Sequence, residues 1–293
     1  MQMVDSSKVL IRYLTRRMGA LRPMVIADVG ANPLGKPIYG ALLRAGMAQV
    51  WAFEPNAEAR ARLMAEASDA ITIRPFAVGD GQAATFYTYP ASEMSSLYPL
   101  SAKALGFLGH FRRHLGTETP QPIITRRLDD ISGLPDLDFL KMDAQGAECA
   151  VLSGGQNRLS KAVAVVVEMR FYRLYDGEPA LWELDRALRA QGFELHRFLH
   201  QKSRMLGHSQ RARVKPDLLA SQLIDGDAVY IRSLEDRSAW SDEALCHLAL
   251  LAAGVFGSHD LALLCLDTLA ERGQVSRKLA EGYVDLLPAE LRA

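Results

Sequence analysis

Four acids stand where apolar runs end: Asp28 after MVIA, Glu54 after VWAF, Asp143 after FLKM and Glu168 after VAVVV. An acid at the tip of a parallel strand is placed to accept hydrogen bonds from ribose hydroxyls, or to take a proton from a hydroxyl held above the sheet. The first two belong to one stretch, VIADVGANPLGKPIYGALLRAGMAQVWAFEP at residues 25–55, whose pattern is strand, glycine turn, helix, strand. Such a unit binds a nucleoside-like ligand where the loop backbone comes close.

Three ligands compete for it. Gly30, Gly35 and Lys36 match the spacing of a phosphate loop, but Pro37 replaces the hydroxyl that would hold magnesium and Pro33 removes a cradling amide. Glu54 lies at the offset of a ribose-binding acid in an NAD site, yet the G-x-G-x-x-G spacing is absent. S-adenosylmethionine needs the ribose acid and loop groups but no pyrophosphate cradle, and it fits best.

The elements that must position these acids follow from periodicity. The patterns predict strands near 71–78, 84–89, 122–128, 136–142, 162–167, 192–198 and 227–232, and helices over 56–68, 145–159 and 181–190. Strands alternating with helices mean an α/β, Rossmann-like doubly wound sheet, mostly parallel. Residues 1–23 predict an amphipathic helix packed on the main domain and capped near Asp5 or Ser6, with Leu10, Ile11, Leu14, Met18 and Leu21 on one face. Residues 24–234 form the cofactor-binding domain, and 90–122, broken by Ser, Pro and Gly, a lid or substrate segment with a helical piece at 102–115. Residues 235–293 are purely helical, an appendage suited to packing or to a homodimer.

Composition narrows the classes. The 293 residues are 49% hydrophobic, and 34 basic side chains balance 34 acidic ones, so no whole-molecule field favours nucleic acid or an anionic membrane, although a local basic patch is compatible with the balance. The longest apolar run, 248–257, is ten residues, too short to span a bilayer, so no stable membrane insertion is expected. The odd, scattered Cys149, Cys246 and Cys265 suit a reducing compartment, hence a cytoplasmic protein. His110 and His114, and His196 and His200, repeat an i, i+4 spacing without a carboxylate in register, so no metal is expected.

The ordered set DVGAN at 28–32, FEP at 53–55, AVGD at 77–80, SSL at 95–97, RLDD at 127–130, DFLKMDAQGAE at 138–148 and VEMRFYRLY at 167–175 resembles the FkbM-type methyltransferases, over residues 24–232. The resemblance implies a class I S-adenosylmethionine-dependent fold, seven strands with the final one antiparallel, and O-methylation of a small molecule or a glycan hydroxyl. The loop departs from the family, since Pro33 and Leu34 lengthen it before Gly35.

On this reading Asp28 holds the ammonium of the methionine tail, directly or through water, Gly30, Asn32 and Gly35 shape the loop, and Glu54, followed by Pro55, binds the ribose. Phe76 and Ala77 border the adenine. Asp143 touches the cofactor and orients or deprotonates the acceptor, with Glu168 or His196 as the alternative base. Arg170 and Tyr172 recognise the acceptor, and Ser95 and Ser96 anchor the lid. Glu148 pairs with Lys141 or a loop amide. Two rival readings are a non-catalytic cofactor- or partner-binding module and an NAD-dependent oxidoreductase.

Overall fold

The computed structural model describes residues 6–31, 36–109 and 116–293. In chain order, α1 (Ser6–Thr15) precedes β1 (Met24–Val29), α2 (Gly40–Arg44), β2 (Ala48–Phe53), α3 (Ala57–Glu66) and β3 (Ile71–Arg74). Next come β4 (Ala83–Thr88), α4 (Ala102–Leu108), β5 (Thr119–Ile124), β6 (Phe139–Met142), α5 (Glu148–Ser153) and β7 (Ala164–Arg170). The chain continues through α6 (Leu181–Ala190), β8 (Phe193–Arg204), β9 (Gln222–Arg232), α7 (Asp242–Leu251), a π-helical turn (Ala252–Phe256), α8 (His259–Glu271) and α9 (Lys278–Asp285).

Seven strands form one sheet in the order β3-β2-β1-β6-β7-β9-β8, while β4 and β5 pair as a separate antiparallel ribbon. All sheet pairs are parallel except those of β9, which runs antiparallel to both β7 and β8. The direction of winding reverses between β1 and β6, and the crevice outside their carboxyl ends is where such sheets bind ligands.

Alternation along the strands divides the core. Met24 and Ile26 face one layer with Phe139, Val166 and Val229, and Val25, Ala27 and Val29 face the other with Leu140, Val165 and Val167. The second layer is closed by α5 and α6 through Val151, Leu152, Leu184 and Leu188. The first is closed by α1 and by the C-terminal helices, whose Leu248, Leu251, Phe256, Leu266 and Tyr283 share one core with Leu10, Ile11 and Leu14. Gly254 makes the approach of α1 possible, because a Cβ there would lie 2.5 Å from Ile11 Cδ1. Residues 235–293 thus cover one face of the sheet together with α1, and the core is continuous across residue 234. Their outer faces still expose Leu264, Leu286 and Leu291.

Several expected elements differ in extent. The strand placed at 71–78 stops at Arg74, and that placed at 122–128 is β5, six positions long and ending at Ile124. The helix expected over 145–159 begins only at Glu148, because Gln145 and Gly146 take positive φ of 48° and 100°, incompatible with a helical turn. The strand expected to end before Glu168 runs on to Arg170. Strands β8 and β9 are much longer than expected because each finds a partner along its whole length. The lid helix expected over 102–115 ends at Leu108, where Gly109 takes φ +78° and caps it, and His110 and His114 lie outside the described residues.

Truncation after Leu234 is expected to abolish cooperative thermal unfolding, since it uncovers one face of the sheet. A truncated protein that melts as sharply and as high as the full chain, followed by near-ultraviolet circular dichroism, would refute the shared core.

Candidate functional site

A cleft opens at the carboxyl ends of β1, β2 and β6, with about 650 Å³ of space between its walls when the open solvent at its mouth is included. Its lining includes Gly30, Glu54, Pro55, Phe76, Ala77, Phe86, Ser95, Asp143 and Gln145.

Glu54 is placed by the strand before it and the helix after it. Asn56 caps α3, its Oδ1 accepting from the amides of Glu58 and Ala59 at 3.0 Å, and its own amide donates to Glu54 Oε1 at 2.7 Å. Arg60, one turn into α3, donates to the carbonyls of Glu54 and Pro55. Burial pushes the Glu54 carboxyl up to about 7, a carboxylate stripped of water and short of donors. Vicinal ribose hydroxyls supply such donors. Phe76, with Arg126 over its ring at 5.2 Å, and Phe86 from the β4–β5 ribbon provide aromatic surface in the cleft.

The turn after β1 is fitted against the turn after β6. Gly30 has φ +74°, and a Cβ there would fall 1.9 Å from the Asp143 carbonyl oxygen, so close backbone approach requires glycine. Asn32 and Gly35 lie outside the described residues. Asp28 does not line the cleft: it is buried, accepts from the Tyr39 hydroxyl at 2.6 Å, and pairs with Lys141 Nζ at 3.2 Å. Its oxygens brace the loop from behind, paired with a lysine from the neighbouring strand. Glu148 takes the loop-amide option, accepting from Ala144 at 2.9 Å.

The remaining acids meet around Gln145, a residue the sequence reading passed over as a helix start. Its Nε2 donates to Asp143 Oδ1 at 2.6 Å and to Glu168 Oε2 at 2.8 Å. Its Oε1 accepts from Arg170 at 2.9 Å and from the Tyr175 hydroxyl at 2.9 Å. All four hydrogen-bonding positions of the amide are used, and a flipped amide would set oxygen against two carboxylates. Its backbone carbonyl accepts from Ser96 Oγ at 2.5 Å, which ties the segment after β4 to the turn. The only signal available in sequence was its place between Asp143 and Gly146.

Burial, and next the charge of Asp143, push the Glu168 carboxyl well above its ordinary value. Arg170 bonds Glu168 at 2.8 Å and Asp225 at 3.1 Å and is buried, so its guanidinium is consumed inside the cluster rather than presented to an acceptor. Tyr172 stacks on Phe107 of α4 with ring centroids 5.6 Å apart. His196 is not brought to the acids: its Nε2 lies 2.5 Å from Ser258 Oγ, in the turn before α8, and β9 separates its strand from β7. Among the described residues no group of three His, Cys, Asp or Glu side chains is arranged to hold a metal.

A seven-stranded sheet in this order, with its last strand reversed, defines the class I S-adenosylmethionine-dependent methyltransferases. The model of the methyltransferase FkbM domain matches residues 28–195, more than half of the chain, and the protein belongs to that family. The cofactor of FkbM methyltransferases is S-adenosylmethionine, and the buried Glu54, the aromatic walls and the Gly30 turn fit its adenosine. The 2-O-methyltransferase NoeI of Sinorhizobium fredii is 30% identical over 162 residues, covering 53% of this chain and 66% of that protein, just under two thirds. A crystal structure of an FkbM methyltransferase from Methylobacillus flagellatus is 19% identical, with 75% of this chain and 47% of that one covered and a TM-score of 0.40. The magnesium protoporphyrin IX methyltransferase of Synechocystis, solved with bound SAM, is 13% identical over 78% of each chain, with a TM-score of 0.36.

Because folded Glu54 retains a proton up to about 7 that the unfolded chain releases near its ordinary value, stability falls as pH rises through that window, by up to about 1.4 kcal/mol per unit. Glu54→Gln is expected to flatten this slope in thermal melts, while wild-type affinity for S-adenosylhomocysteine rises over the same range; parallel slopes in the two proteins would remove Glu54 from the account. Gln145→Glu sets a third carboxylate beside Asp143 and Glu168, and is expected to destabilise the protein by about 3 kcal/mol at pH 8 and much less at pH 5. Equal melting shifts at both pH values would contradict the bridging role.

Proposed function

We propose that this protein transfers the methyl group of S-adenosylmethionine to a hydroxyl of a sugar, glycan or small metabolite. The observation that carries this reading is the pair of acids, Asp143 and Glu168, joined through one amide at the edge of the cleft that holds Glu54. When bound, the cofactor supplies an electrophilic methyl on sulfur. The chain's own residues then have three tasks.

Glu54 accepts the ribose hydroxyls and fixes the adenosine, with Phe76, Ala77 and Phe86 beside the base. Asp143, which lines the cleft, aligns the acceptor hydroxyl for in-line attack. The acceptor proton leaves to the Asp143–Glu168 pair. Glu168, raised well above its ordinary value by burial and by the charge of Asp143, is a strong base once ionised. Ser95 in the cleft wall, and Tyr172 against α4, stand on the acceptor side. The relative named as a 2-O-methyltransferase supports oxygen as the methylated atom.

Incubation with labelled S-adenosylmethionine and a panel of neutral glycans and polyols is expected to release S-adenosylhomocysteine. Asp143→Asn should retain S-adenosylhomocysteine binding in thermal-shift measurements and lower turnover by about a hundredfold or more. Stabilisation by NAD and not by S-adenosylhomocysteine would end this reading, and binding without turnover on any acceptor would favour a non-catalytic module.

A further inference from the structure

The connection between β8 and β9, residues 205–221, is long for a hairpin and carries one short 3-10 turn at Arg211–Arg213. In a chain whose charges cancel, residues 201–221 hold Lys202, Arg204, Arg211, Arg213 and Lys215 against the single acid Asp217. Directly after these cations come two exposed leucines. Leu218 is 79% exposed, the largest value for any bulky apolar side chain among the described residues, and Leu219 is 53% exposed. They are held in a folded turn, with the amides of Leu218 and Leu219 donating to the carbonyls of Lys215 and Pro216 at 3.2 and 3.3 Å.

Those two hydrogen bonds matter for a change of surroundings. Backbone amides already paired within the turn lose nothing when water is withdrawn, so the leucines can leave water at little cost. The loop contains no Phe, Tyr or Trp on which bases would stack, which disfavours single-stranded nucleic acid as the anionic partner. Cations flanking bare leucines match a surface that is apolar beneath a layer of phosphate.

We infer that this loop attaches the protein reversibly to an anionic lipid surface, with Leu218 and Leu219 entering the headgroup boundary and the exposed Arg213 and Lys215 meeting lipid phosphates. Among the described residues no helix is long and apolar enough to cross a membrane, so the attachment is peripheral. The loop is also connected to the site: Leu206 at its root shares a small core with Leu108 of α4, Leu174 and Tyr175, and Tyr175 bonds Gln145. Docking through the loop therefore sets the orientation of α4 and of the acid cluster relative to the bilayer, whatever the acceptor is.

Co-sedimentation of the full chain with vesicles tests this. Binding is expected to vesicles of phosphatidylcholine mixed with phosphatidylglycerol and not to phosphatidylcholine alone, and added salt should weaken it. The double substitution Arg213→Gln/Lys215→Gln should reduce partitioning about fivefold per cation, the equivalent of about 1 kcal/mol each. Leu218→Ser/Leu219→Ser should reduce it at every salt concentration. All four positions are exposed, so melting temperatures should stay at the wild-type value. No binding to either vesicle, equal binding to both, full binding by both variants, or capture of a poly-uridine oligonucleotide in preference to mixed vesicles would each overturn the inference.

Discussion

The site rests on one saturated amide. Gln145 uses both hydrogens on Asp143 and Glu168 and both lone pairs on Arg170 and Tyr175, while its own backbone sits in the left-handed region that side chains usually avoid. That strain is held by Ser96 on the backbone carbonyl and by Gly146 immediately after it. Through these few bonds the turn after β6, the strand β7, the segment after β4 and the loop after β7 are fixed to one another. A neutral amide that donates to two acids holds the carboxylates of Asp143 and Glu168 close together, beside the Arg170 guanidinium that bonds Glu168.

The cations near the site are used as braces. Lys141 is half-buried and committed to Asp28, with its ammonium also 3.4 Å from the Gly30 carbonyl. Arg170 is shared among Glu168, Asp225 and Glu178. What the cleft itself presents is carboxylate, aromatic surface and hydroxyl, in Glu54, Asp143, Glu93, Phe76, Phe86 and Ser95. Carboxylates bind sugar and ribose hydroxyls well and repel phosphate, which agrees with the missing phosphate cradle in the first loop.

Away from the site, burial of the C-terminal helices changes the meaning of the N-terminal segment. Arg22 bonds Asp138 at 2.6 Å and Glu243 at 3.1 Å, and the buried His247 of α7 lies 3.2 Å from the Arg22 carbonyl. The start of β6 is thereby tied to both ends of the chain. The amphipathic stripe of α1 is spent on this contact, which accounts for its Leu10, Ile11 and Leu14 without recourse to a membrane.

Local chemistry was legible in the sequence wherever one segment determined its own shape. Helix α6 spans the positions its pattern marks, and the acid after β2 is held at the strand tip because the strand, the proline and the Asn56-capped helix around it are consecutive. The fold class followed from alternation of strand and helix, since a parallel sheet needs both faces covered. What the sequence left undecided depended on contacts between distant segments: Asp28 is taken by Lys141, Arg170 by three acids, and His196 by Ser258. The strand tips named the acids that meet, but only the tertiary structure placed Gln145 between them, because a side-chain amide acquires a role only from the four partners that surround it.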